Sequence, residues 1–184
     1  DAAAGDVLDA DQQAEINQLA ETLKQEYSST QYAYYAALVK AKLAVEGADL
    51  SAATVELEWA MDNAEETLSE NIARLRLARV QAAAGNLDTA LQLVQGVDAG
   101  ELKSAFDEAK GDFYQQQGNS GAAYSAYEAA MMGIDVGNSS ASQLLQLKIS
   151  QVKPVITQAV EVEDSVEAEG SVEAEGSVEQ DDAS

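Results

Sequence analysis

An all-α, right-handed helical repeat is the fold this sequence predicts, with about three helix pairs and capping helices at the ends. Three observations lead there. Alanine supplies much of the apolar content and Pro154 is the only proline in 184 residues, a composition that favours helix almost everywhere. No window alternates apolar and polar residues with period two for long enough to make a strand. A pattern of small residues also recurs at a fixed distance along the chain.

The first helix is predicted over 11–27, "DQQAEINQLAETLKQEY", where Ile16, Leu19 and Leu23 share a stripe at three- and four-residue spacing. Further helices are predicted near 30–46, 51–66, 70–84, 87–96, 100–117, 120–133 and 139–152. Breaks fall at Gly47, Gly85, Gly118 and "GIDVGNSS", where glycine can take the positive φ that ends a helix. Pro154 then stops the last helix. These elements define a domain over residues 11–156.

The flanks read differently. The chain begins at Asp1 rather than at methionine, so residues 1–10 are expected to be a disordered segment following a removed membrane anchor. At the other end a six-residue unit repeats from Ser165 and Ser171 and in part from Ser177, with ten acids and no base between Glu161 and Ser184. One valine per unit cannot offset the entropy of ordering the chain, so residues 157–184 are expected to form a disordered acidic tail.

The repeat emerges when "LRLARVQAAAGNLDTALQLV" is set against "EAKGDFYQQQGNSGAAYSAY". Ala78 then pairs with Gly111, Gln81 with Tyr114, Gly85 with Gly118, Ala90 with Ala123 and Val94 with Tyr127, at a period of thirty-three residues. Tetratricopeptide repeats recur at about thirty-four. An earlier copy aligns more loosely through Ala41, Ala53, Leu57 and Ala60. Ala78 and Gly111 mark where the first helix of a pair crosses the second, Ala90 and Ala123 the matching places opposite. Leu77, Tyr114, Val94 and Tyr127 fill the space between layers. The small residues of "GDFYQQQGNSGAAYSAYEAA" are therefore packing positions, and no phosphate-cradling loop is needed.

Composition narrows the function. Cysteine and histidine are both absent, which removes thiol nucleophiles, disulfides, the usual zinc sites and histidine acid–base chemistry. A formal charge of −23 repels nucleic acid and anionic lipid, so neither is an expected partner. No run of eighteen apolar residues exists. Glu56, Glu58, Glu65 and Glu66 look like a solvated helix face, and no cleft-forming insertion turns them into a hydrolytic carboxylate pair. No cofactor, metal or catalysis is expected.

The segment "NIARLRLARVQAAAGNLDTAL" at 71–91, then "AKGDFYQQQGNSGAAYSAYEAA" and "QLLQLKISQV", resembles the periplasmic part of the YfgM family, ancillary subunits of the SecYEG translocon. The run Leu75-Arg76-Leu77-Ala78-Arg79-Val80 is its most specific element, and the likeness covers roughly residues 20–152. The resemblance implies a tetratricopeptide-like domain at the periplasmic face of the bacterial inner membrane, tethered by one N-terminal helix outside this chain. The partners it implies are the SecYEG translocon and the periplasmic chaperone PpiD. A general envelope scaffold or a holdase chaperone of the same fold is the alternative.

In repeats of this kind the first helix of each pair lines a concave groove. By the repeat register, Ile72, Leu75 and Arg79 face it in the middle pair, Ala105, Glu108 and Asp112 in the next, and Tyr35, Leu38 and Lys42 in the first. Arg76 is expected to pair with an acid such as Glu70 or Glu101. Of Tyr32, Tyr34 and Tyr35, one or two are expected in the core, and Trp59 reads as a plug between layers.

Overall fold

The computed structural model describes residues 9–134 and 139–152. Its helices are α1 (Ala10–Glu26), α2 (Gln31–Glu46), α3 (Leu50–Asp62), α4 (Thr67–Ala83), α5 (Leu87–Val94), α6 (Lys103–Gln116), α7 (Ser120–Met132) and α8 (Ser139–Val152), with a 3₁₀ turn at Gly100–Leu102. No strand occurs among the described residues. Most of the N-terminal segment 1–10, the stop at Pro154 and the acidic tail 157–184 lie outside them.

Local chemistry sets the boundaries. Asp9 and Gln12 form a reciprocal capping box at the start of α1, while the side chains of Thr30, Asp49 and Asn119 accept from the first-turn amides of α2, α3 and α7. Helix α3 ends at Asp62, four residues before the sequence suggested, because both the backbone and the side-chain amide of Asn63 donate to the Trp59 carbonyl. Gly85 and Gly118 make the turns inside two of the pairs with φ of +85° and +78°. The turn after α2 departs from expectation: Gly47 keeps a negative φ, and Ala48 takes the left-handed conformation at φ 58° instead.

Each helix packs on the next in sequence, so α2/α3, α4/α5 and α6/α7 are the three pairs, with α1 and α8 covering the ends. The repeat register locates the core. Ala41, Ala53, Leu57 and Ala60 are buried in the first pair, Ala78, Ala90 and Val94 in the second, Ala123, Tyr127 and Ala130 in the third. Gly111 carries the tightest constraint: a Cβ built there would overlap the ring of Tyr127, which is fully buried. The Tyr127 hydroxyl is held in turn by Asp112 and Gln115, each at 2.8 Å, so the ring has little room to yield.

Helix α1 turns inward the Ile16 and Leu23 side of the stripe the sequence suggested, with Ala20 rather than Leu19 at its centre. Ala20 is buried and Leu19 exposed. Polar contacts fix its position: Lys24 reaches Glu56 of α3 at 2.6 Å and lies over the Trp59 ring, 4.9 Å from its centre. Lys40 of α2 reaches the other oxygen of Glu56 and also Glu21 of α1, both at 2.6 Å. Glu56 is therefore buried beneath two ammonium groups, not part of a solvated face. Burial alone would lower the Lys40 pKa, but the hydrogen bonds its ammonium donates to Glu21 and Glu56 outweigh it and the net shift is upward.

Replacing Gly111 by alanine should destabilise the domain by roughly 1–2 kcal/mol despite the better helix propensity of alanine, because overpacking against Tyr127 exceeds the gain. Gly121→Ala, whose Cβ meets nothing nearer than the Asn119 side chain at 4.0 Å, should leave the thermal midpoint unchanged or raised. Thermal melts of the two variants check both signs; a stabilised Gly111→Ala would refute the packing role.

Candidate functional site

A groove of about 660 Å³ runs between α2 and α4. Its α2 wall carries Tyr35, Leu38, Val39, Lys42, Val45 and Glu46; Ala41, Leu57 and Val80 form the buried floor, and Arg76 stands on the α4 side. The α2 wall follows from spacing. Tyr35, Val39, Lys42 and Glu46 are three or four apart and so share a face, while Ala33, Ala36, Ala37 and Ala41 turn to the core and let α2 sit close to its neighbours. Tyr35 and Val39 stay 52% and 43% exposed, so a strip of apolar surface faces solvent inside a concave site.

Charge at the rim is uneven. Among the described residues every lysine lies within ion-pair distance of a carboxylate, and so does Arg74, which takes Glu70. The pairing expected of Arg76 thus belongs to Arg74, four residues beyond Glu70 on the same helix. Arg76 and Arg79, exposed one turn apart on α4, have no carboxylate within that distance among the described residues. In a chain with 33 acids, two arginines without such a neighbour on one helix, one of them lining an apolar groove, are a local exception. On the opposite rim Lys42 and Glu46 face each other at 3.5 Å, both largely exposed, and leave that wall nearly neutral.

The sequence-predicted residues divide among three places. Tyr35, Leu38 and Lys42 line the groove. Ile72, half-buried, and Arg79 lie on the α4 stripe that also carries Arg76. Leu75 does not reach open surface: it is only 6% exposed and packs with Leu91 and Phe106 in the core of the second and third pairs. Glu108 and Asp112 turn to α8, where Lys148 bridges them at 2.8 Å and 2.7 Å; Ala105 is half-buried at the edge of the core. Of the three tyrosines, Tyr34 is buried with its hydroxyl donating to the Ser69 carbonyl at 2.7 Å, whereas Tyr32 and Tyr35 are exposed. Sequence reasoning missed Val39, Val45 and Arg76, although the spacing of Val39 from Tyr35 was there to be read.

The Lys148 cluster closes the far end of the repeat. Burial lowers the Lys148 pKa, and the carboxylates of Asp112 and Glu108 more than reverse this, leaving it raised. Burial and the neighbouring Asp112 both push the Tyr127 hydroxyl upward, so it stays protonated and donates. This carboxylate pair is a clamp for α8, both of its acids bridged by Lys148 of the same chain.

The fold is a tetratricopeptide-type helical repeat, and the chain matches the family described as "Tetratricopeptide repeat-like domain" over residues 3–154. It is 30% identical over 142 residues to a protein of Aggregatibacter actinomycetemcomitans named "Ancillary SecYEG translocon subunit", covering 77% of this chain and 68% of that one. A Haemophilus influenzae protein of the same name is 30% identical over 132 residues, covering 72% of this chain and 63% of that one. The chain belongs to this family of tetratricopeptide repeat-like ancillary translocon subunits.

Because the Lys148 pKa is raised in the folded state, its contribution is full below the ordinary lysine value of 10.5 and is lost as pH rises through the folded value above it. Lys148→Met should therefore cost about 1 kcal/mol at neutral pH, discounted for the partial exposure of all three groups. Hydrogen exchange read by mass spectrometry at neutral pH should speed up in 139–152 in that variant before α2–α5 respond, and its stability deficit against the parent chain should shrink as pH rises above 10.5.

Proposed function

We propose that this chain is the partner-binding domain of a translocon accessory subunit and works without catalysis. The observation that carries this is the α2–α4 groove: concave, largely apolar and lined on one side by Arg76, which like Arg79 a turn further along α4 has no carboxylate partner among the described residues. Its relatives are named for the SecYEG translocon, which supports the translocon as the assembly served. The groove offers large apolar contacts at its centre and polar groups at its edge, the arrangement through which protein surfaces recognise one another. The domain sits at the periplasmic face of the inner membrane, tethered by an N-terminal helix outside this chain, and connects the translocon to periplasmic chaperones such as PpiD. Residues 11–156 form the binding domain in this reading, and the acidic segment 157–184 lies outside the described residues.

Chain immobilised on resin should recover translocon subunits or a membrane-anchored periplasmic chaperone from solubilised envelope membranes. Val39→Glu, an exposed position in the groove, should reduce recovery by about tenfold or more while leaving the far-UV circular dichroism unchanged. Undiminished recovery by that folded variant would move the site away from the groove. Recovery of unfolded clients alone, with no envelope partner, would favour a holdase.

A further inference from the structure

The groove also restricts the conformation and charge of what fills it. Along the α2 wall, Tyr35 to Glu46 is twelve residues, or about 16 Å at the rise of an α-helix. Walls and floor are helical, so their backbone groups are already hydrogen-bonded within helices. Polar side chains occur at only four lining positions, Tyr35, Lys42, Glu46 and Arg76. A strand laid here would turn part of its amides and carbonyls toward an apolar lining that offers them few partners. A helix satisfies those groups internally and presents only side chains.

The charge of the occupant follows from the rim. Arg76 lines the groove and Arg79 lies a turn further along α4, both exposed, with no carboxylate within ion-pair distance among the described residues. The Lys42–Glu46 pair leaves the α2 side close to neutral. We infer that the occupant is an amphipathic helix of about three turns, its apolar stripe laid along Val39 and Val45 and its carboxylates on the flank facing Arg76 and Arg79. This rests on the reading of the groove as a protein-binding surface and states the chemistry of the partner segment.

The test uses the full chain and a fluorescent peptide of about fifteen residues. The peptide carries leucines at helical spacing and glutamates on one flank; a second version has lysines in place of those glutamates, and a third a central proline. Fluorescence anisotropy gives affinities, and difference circular dichroism reports whether the peptide becomes helical on binding. The glutamate version should bind about tenfold more tightly than either other version at low salt and gain helix on binding. The preference over lysine should shrink as salt rises. The net charge of −23 biases non-specific contact toward the lysine peptide, so a glutamate preference reports the arginine pair. Reversing both charges, Arg76→Glu with Arg79→Glu, should invert the preference, while Val39→Glu should weaken both flank versions. Equal affinity for the two flank versions, equal affinity for the proline version, or binding untouched by Val39→Glu would overturn the inference. If no peptide binds yet envelope partners are still captured in a Val39-dependent way, the helical occupant is wrong and the groove remains the site.

Discussion

The fold turns on how closely the two helices of each pair can approach. Where the third pair crosses, Gly111 leaves only enough space for the ring of Tyr127, and the equivalent positions in the other pairs are Ala78 and Ala41, both buried. Small residues at the crossing bring the helix axes together, and the large side chains then fill the interlayer space above and below. Ala90 and Ala123 complete the same contact from the second helix. Because each pair is built alike, the pairs stack in one register, and the concave side of that stack is a consequence of the packing. The groove between α2 and α4 exists because α2 spends its alanines on the core and keeps Tyr35, Val39 and Val45 outside.

Polar chemistry finishes the ends, where no further repeat supplies an apolar partner. At the start, Glu56 gathers Lys24 from α1 and Lys40 from α2 beneath the surface. At the other end, Lys148 of α8 ties Glu108 and Asp112 to the last helix. The first device offsets the cost of burying Glu56, the second bridges two half-buried acids, and both draw on the few basic residues the chain has. That use of lysine sets off Arg76 and Arg79, which are exposed and have no carboxylate within ion-pair distance among the described residues.

Much of this was legible from the residues alone, for a physical reason. Crossing positions tolerate so little volume that Ala78 and Gly111 betray the repeat one period apart, and the glycine turns at Gly85 and Gly118 follow from the same register. What escaped were features set by more than one helix. Leu75 sits at a position that faces a groove in an ideal repeat, yet here α6 brings Phe106 against it. Glu56 looks like any exposed glutamate until α1 and α2 deliver two lysines to it. Glu108 and Asp112 read as groove residues because nothing local announces that α8 will fold back over them. Arg76 and Arg74 exchange roles for a simpler reason: Glu70 lies four residues from one and six from the other.

The groove between α2 and α4 is the surface proposed to meet partners, and site-specific photocrosslinking in intact envelopes addresses that directly. A photoreactive residue at Val39 places the probe in the groove, while one at Val55 on α3, 61% exposed and outside the groove, samples another face. Crosslinks from Val39 to translocon subunits or to a membrane-anchored periplasmic chaperone, with none from Val55, are the result predicted. Crosslinks to those partners from Val55 and none from Val39 would contradict it.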